Sequence, residues 1–234
     1  MRLDRFLSKH STHSNKTIRL KLATGAVELA GFPVADGAIT VDEFSPVILD
    51  GQSLQQREPL YLMLHKPTGC VSATKDLQHR TVVDLLDHPR KSKLHIAGRL
   101  DFNTTGLLLL TNHGSWSKRL TLKHSGLAKV YRVTTEHPIP ESAISRFADG
   151  FYFATENITT LPAKLEILTS HSARLTLVEG RYHQVKRMFG RLNNKVLALH
   201  RDSMAGIALD PALQPGEWRA LTAGEIARVK PAAI

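Results

Sequence analysis

Gly98-Arg99-Leu100-Asp101-Phe102-Asn103-Thr104-Thr105-Gly106 sets a guanidinium and a carboxylate two residues apart in a loop that runs straight into the aliphatic stretch Leu107-Leu108-Leu109-Leu110. A carboxylate anchored by a buried strand suits nucleophilic or base chemistry, because the strand fixes where the reacting oxygen sits. An Asp among Gly, Asn and Thr equally suits a turn or a helix cap, and spacing alone leaves both readings open. Tyr131 lies in the alternating stretch Lys129-Val130-Tyr131-Arg132-Val133, either as a half-buried aromatic or as a ring facing a pocket. From Glu179 to Arg201 six bases stand against one acid, a density consistent with phosphate contacts. On a helix starting near His183, Val185, Met188, Phe189 and Leu192 form one apolar stripe. At about 100° per residue, Lys186 flanks that stripe and Arg187 points nearly opposite. That geometry favours Lys186 as the base that reaches toward Asp101, over the alternative of a solvated helix lysine, and leaves Arg187 and Arg191 for phosphates.

These groups need elements to hold them. Strand patterns occur at Tyr61–His65, ending in the turn Lys66-Pro67-Thr68-Gly69, and at Leu94–Ala97, Leu107–Thr111, Lys129–Val133, Ala163–Leu168 and Ala173–Leu177. Helical patterns lie between them near residues 82–87, 115–121, 141–148 and 183–192, so the class is α+β rather than a strict βαβ repeat. Upstream, Leu3, Phe6 and Leu7 recur at helical spacing, and Ile18 and Leu22 do so in a second basic stretch. Gly25–Gly31 and Pro46–Gly51 read as short strands between turns. Residues 52–58 are polar and without periodicity, which predicts a linker there, with domains over 1–57 and 59–234.

The 234 residues carry a formal net charge of +10 and a pI near 9.9, which points to a polyanionic partner. The asymmetry is local: the first 21 residues hold six bases and one acid, whereas residues 22–58 hold one base and six acids. With 42% apolar and 22% charged residues, disorder and a membrane-embedded chain are excluded. Charges at Arg2, Asp4 and Arg5 interrupt any signal peptide and Cys70 has no partner, so a cytoplasmic location is expected. Twelve scattered histidines, no His-Glu-x-x-His and one cysteine argue against a metal site, and a P-loop is absent.

Residues 1–52 resemble the RNA-binding module shared by small-subunit ribosomal protein S-four and many RNA-modifying enzymes. The likeness rests on Arg2-Leu3-Asp4-Arg5-Phe6-Leu7, the second basic helix, Gly25-x-Val27-x-Leu29-x-Gly31 and Asp50-Gly51. Ala30 departs from it, standing where the module commonly has Asn. The resemblance implies a small α+β RNA-binding module and assigns RNA contacts to Arg2, Arg5, Lys16 and Arg19.

Residues 60–230 resemble the pseudouridine synthases. Gly98-Arg99-Leu100-Asp101-x-x-Thr104-Thr105-Gly106-Leu107 through Asn112 looks like their signature loop, whose aspartate their chemistry requires. Lys66-Pro67-x-Gly69, Lys129-x-Tyr131-x-Val133 and Glu179 through Met188 are similar to the other motifs, in the same order. Asn103 and His113 are departures near the loop, and Lys186 stands where many members have Arg. The resemblance implies a catalytic domain with a mixed, mostly antiparallel sheet flanked by helices around a central cleft. It also implies isomerisation of a flipped-out uridine without cofactor or metal. Asp101 is then the catalytic carboxylate, acting at C1′, at C6 or on a ribose proton. Tyr131 stacks on the uracil and helps remove the proton at C5, and Lys186 pairs with Asp101. Arg99, as wedge or phosphate ligand, and Arg181, Gln184, Arg187 and Arg191 are expected to contact RNA.

Gly114-Ser115-Trp116-Ser117 and the compact end after Pro215-Gly216-Glu217-Trp218-Arg219 place the resemblance in the RsuA-type branch that modifies small-subunit (16S) ribosomal RNA. The alternatives are a synthase of large-subunit (23S) RNA and a catalytically silent RNA-binding assembly factor. The expected partner is ribosomal RNA or a small-subunit assembly intermediate, bound by a monomer, with no DNA and no membrane. A DNA-binding regulator is disfavoured because no convincing helix-turn-helix is present.

Overall fold

Leu3, Phe6 and Leu7, spaced to share one helical face, are all buried, and this burial drives the helix α1 (Leu3–His10). A second helix, α2 (Asn15–Ala23), starts where the Ser14 hydroxyl accepts the Thr17 N–H at 3.2 Å, and it buries Ile18 and Leu22. The computed structural model describes residues 1–122 and 126–229. The chain divides into two units, Met1–Pro59 and Leu60–Ile234.

The first unit completes itself with an antiparallel sheet in the order β2-β1-β3-β4: β1 (Val27–Leu29), β2 (Phe32–Pro33), β3 (Val47–Leu49) and β4 (Gln52–Gln55). Its two hairpins turn on Ala30-Gly31 and Asp50-Gly51, all four with positive φ, as two-residue turns between right-twisted strands require. The predicted linker is corrected by this sheet. Gln52–Gln55 is a strand paired with β3, because the Asp50-Gly51 turn folds it back. Its polar sequence Gln-Ser-Leu-Gln hides the strand, since only Leu54 packs on the core.

In the second unit one nine-stranded sheet runs β11-β12-β8-β13-β7-β5-β15, with β6 on β7 and β14 on β13. The strands are β5 (Tyr61–Lys66), β6 (His95–Ala97), β7 (Thr105–Thr111), β8 (Lys129–Thr135), β11 (Lys164–Thr169), β12 (Ser172–Leu177), β13 (Val196–Met204), β14 (Ile207–Ala208) and β15 (Trp218–Ala220). A separate small hairpin joins β9 (Tyr152–Phe153) and β10 (Ile158–Thr159). The helices are α3 (Gly114–Thr121), α4 (Ser142–Asp149), α5 (Gln184–Gly190) and α6 (Ala223–Arg228). Among the described residues only the β7–β13 pairing of this sheet is parallel, so the sheet is mixed and mostly antiparallel. One face buries Leu62, Leu64, Leu108, Leu110, Tyr131 and Val133 with α4 and α5, and the other buries Met63, Leu107, Leu109 and Trp116.

Two expectations change. The helix near residues 82–87 is a pair of tight turns, Asp84 N–H to Thr81 C=O and Leu86 N–H to Val83 C=O, with the Asp84 carboxylate accepting from the Thr81 N–H and hydroxyl. Val82, Val83 and Leu86 are still buried, so the apolar spacing marked a buried face but not a helix. The central strand β13 replaces part of the supposed basic RNA-binding strip. Its pairing with β8 and β7 outweighs the charges of its own sequence.

Register lines up Lys66, Gly106, Arg201 and Tyr131 across β5, β7, β13 and β8. Gly106 has φ +104°, and a Cβ there would lie 2.6 Å from the Arg201 nitrogen and closer still to its carbonyl oxygen. Gly106→Ala is therefore expected to lose at least about 2 kcal/mol, by strain and by pushing β13 away, lowering Tm by roughly 4–8 °C in a thermal melt. On the opposite side of the same pairing, His200 Nδ1 meets the Thr105 hydroxyl at 2.8 Å, and burial pulls its pKa below the ordinary 6.5. The unfolded chain thus takes up a proton at His200 before the folded one does. Stability should fall as pH drops below 6.5 and be flat in this respect above it, and denaturant titrations of His200→Asn should show a shallower acid limb.

Candidate active site

Asp101 sits in the connection from β6 to β7, where backbone groups on both sides of it are held. The Arg201 guanidinium, 1% exposed, donates from Nη2 to the Gly98 carbonyl at 2.9 Å and from Nε to the Leu107 carbonyl at 2.8 Å. The Ser72 hydroxyl donates to the Leu100 carbonyl at 2.7 Å and accepts the Leu100 N–H at 3.0 Å. Lys66, fully buried, spreads its three ammonium hydrogens over the carbonyls of Pro67, Phe102 and Thr104 at 3.0, 3.2 and 2.9 Å. Burial pushes the Lys66 ammonium below the usual lysine range, while Cys70 and Asp101 act in the opposite sense. A turn from the Thr104 N–H to the Asp101 carbonyl at 3.0 Å closes the loop.

The Asp101 side chain projects from this frame, 32% exposed, toward the start of α5. Lys186 Nζ stands 3.5 Å from Oδ2, and His183 Nε2 stands 3.4 Å from Oδ1. Lys186 is presented by a helix that buries Val185, Met188 and Phe189 beneath it. Glu179 fixes the N-terminal approach to that helix. Its buried carboxylate accepts the Leu161 N–H, the Gln184 side-chain amide at 2.6 Å and the Arg181 Nε at 3.0 Å. Tyr131, 8% exposed, lies in register between Leu175 and Arg201.

The structure therefore brings Asp101 and Lys186 together and sets Tyr131 beside the arginine that holds the loop. Several residues expected to face RNA are instead occupied within the protein. Gln184 is 4% exposed and bonds to Glu179 and to the Arg181 N–H. Arg187 makes a two-pronged pair with Glu156 at 2.6 and 2.7 Å and lies 3.7 Å over the Phe153 ring, holding the Glu156 carboxyl down to about 2. Arg181 is tied to Glu179, and Arg201 is interior. Arg99 and Arg191 are exposed, as are Arg5, Lys16 and Arg19 on the first unit, and so is Arg2, which forks onto Asp4 at 2.6 and 3.1 Å. There α1 and α2 border an open groove of about 350 Å³ lined by Arg5, Lys9, Arg19, Asp4, Ser8, Asn15 and Ile18.

Sequence reasoning missed His183, whose signal was its place just before the helix that carries Lys186. It also missed the loop-holding roles of Lys66 and Arg201. Among the described residues no group of three or more His, Cys, Asp or Glu is placed to hold a metal ion, and no helix is long and apolar enough to cross a membrane.

The register of the mixed sheet thus ends in one clamped aspartate loop. The chain belongs to the RNA pseudouridylate synthase family, whose model matches residues 60–190. Across 98% of its length it is 54% identical to the ribosomal small subunit pseudouridine synthase A of Pseudomonas aeruginosa, covering all of that protein. It is 44% identical to the protein of the same name from Escherichia coli K12, over 98% of this chain and 100% of the relative. A crystal structure of a pseudouridylate synthase matches with a TM-score of 0.71 at 39% identity, covering 98% of this chain and 99% of that one.

Lys66→Met keeps the length of the side chain and removes all three donors. Leaving buried carbonyls unpaired should cost about 1–3 kcal/mol in denaturant unfolding. Loosening the Asp101 loop should also lower kcat by at least about tenfold, because small misplacements of a reacting group are costly. Rate and stability measured on the same preparation check both.

Proposed function

We infer that this enzyme converts one uridine of small-subunit (16S) ribosomal RNA into pseudouridine, with Asp101 as the group that starts the reaction. The carrying observation is that Asp101 is the partly exposed carboxylate at which the clamped loop, Lys186 and His183 converge. The choice of small-subunit RNA is supported by the full-length relatives that carry that name. The reaction breaks the C1′–N1 bond, turns the uracil and joins C5 to C1′, and the proton lost from C5 is balanced by one gained at N1. It is redox-neutral and draws on no other reactant. Asp101 supplies the carboxylate that attacks C1′ or C6 or takes a ribose proton, Lys186 its countercharge, and Tyr131 a ring against the uracil and a phenol near the departing C5 proton.

The target must leave its stack to reach Asp101, and exposed Arg99 beside the loop is suited to hold the displaced backbone. Arg191 and the first unit's Arg2, Arg5, Lys16 and Arg19 provide salt-dependent affinity for RNA phosphates. The substrate is the RNA itself or a small-subunit assembly intermediate, taken by a monomer in the cytoplasm.

Asp101→Asn keeps the shape of the side chain and should cut the rate by at least about 10³-fold while leaving RNA affinity nearly intact. Pseudouridine mapping after incubation with 16S and 23S transcripts, and with partly assembled small subunits, is the check. One new site in 16S RNA, absent with the variant, supports the reading. A 23S site would overturn the substrate, and no site on any RNA or particle would overturn the activity.

A further inference from the structure

Tyr182 is 76% exposed, yet its ring is not loose. It stacks on His183 with ring centres 3.9 Å apart and planes 18° from parallel. His183 in turn reaches Asp101 through Nε2 at 3.4 Å. The backbone here is also fixed. His183 sits in the left-handed region at φ +49°, a conformation a non-glycine residue keeps only where its surroundings impose it. The Tyr182 carbonyl accepts from Arg187 Nη1 at 3.3 Å, and Arg187 is itself locked to Glu156. An aromatic ring is thus held with one face against the histidine that touches the catalytic carboxylate, and the rest of it stands in solvent.

We propose that Tyr182 is a specificity-determining residue whose free face stacks on the RNA base next to the target uridine. The inference rests on the reading of Asp101 given above. When a uridine swings out of its stack toward Asp101, the neighbouring base loses a stacking partner and exposes its own flat face. An aromatic ring one histidine away from the carboxylate replaces that partner, and stacking accepts any base while the ring fixes where that base lies. The target is then selected partly by whether its neighbour can reach Tyr182 when the uridine reaches Asp101.

The test uses the full-length enzyme, Tyr182→Ala and Tyr182→Phe, on a 16S RNA in which the modified uridine has first been mapped. The same RNA is also made with an abasic site at either neighbour of that uridine. Tyr182→Ala should raise KM roughly 5- to 150-fold with kcat little changed, the range that loss of one base–aromatic stack gives. Tyr182→Phe should behave as wild type, and both variants should melt with it. On one of the two abasic RNAs the Ala variant and wild type should become equal. An unchanged KM for Tyr182→Ala, a defect that persists on both abasic RNAs, a Phe variant as poor as Ala, or a lower Tm with reduced kcat would each overturn the stacking role. A wild type that makes no pseudouridine, or an active Asp101→Asn, would overturn the underlying reading instead, and is recognised because it fails without any change at Tyr182.

Discussion

Two buried cations hold the Asp101 loop, and the rest of the catalytic unit is arranged around them. Lys66 and Arg201 direct their hydrogen bonds to main-chain carbonyls on both sides of Asp101. Taking an ammonium and a guanidinium out of water is costly, and such a group persists only when its donors are met with good geometry. The sheet meets that demand by register. Lys66, Gly106 and Arg201 occupy successive strands in one row, and the absence of a side chain at Gly106 lets β13 come close enough for Arg201 to span from Gly98 to Leu107. The two cations are thus both a consequence of the strand order and the means by which it determines the position of Asp101.

This arrangement explains which parts of the molecule were legible in the sequence. Strands with strong alternation or aliphatic runs, such as β5, β7, β8 and β12, could be read directly, because their side chains meet the core in the pattern their spacing shows. The pairing of Lys186 with Asp101 followed from the angle between Lys186 and the apolar stripe of α5. The strand β13 could not be read, since His200, Arg201 and Asp202 interrupt it and each finds its partner on another strand. Likewise β4 is polar throughout except at Leu54, and only the turn before it makes it a strand. Arg187 and Gln184 look from their spacing like groups for a ligand. Their partners, Glu156 and Glu179, are supplied by segments that composition does not connect to them.

The charge balance changes meaning accordingly. A net charge of +10 suggests an extended surface for a polyanion, yet Lys66, Lys129 and Arg201 lie inside the second unit. Burial, together with the nearby Arg201 charge, lowers the Lys129 pKa against the pull of Glu179. Arg132, Arg174, Arg187 and Arg219 are paired with carboxylates at 2.6 to 3.2 Å. Exposed bases remain on both units, Arg5, Lys9, Lys16 and Arg19 on the first and Lys75, Arg80, Lys93, Arg99, Lys118, Arg191 and Lys195 among those on the second. On the function proposed above, exposed bases supply affinity and the clamped loop supplies chemistry, so screening by salt acts on the former far more than on the latter.

The clamp also suits the reaction for a reason that concerns what it leaves alone. None of the bonds from Lys66, Arg201 or Ser72 goes to the Asp101 carboxylate; all involve main-chain groups, most of them in the loop. A carboxylate that must form and release a covalent bond, or take and return a proton, changes its partners during each turnover. Had it been positioned by those same partners, each change would loosen the loop at the moment placement matters most. Among the described residues, Lys186 and His183 are the ion-pair partners of the Asp101 oxygens, at 3.5 and 3.4 Å, distances that leave room for a substrate atom to take their place. Fixing the backbone while leaving the side chain lightly held lets the geometry survive the chemistry.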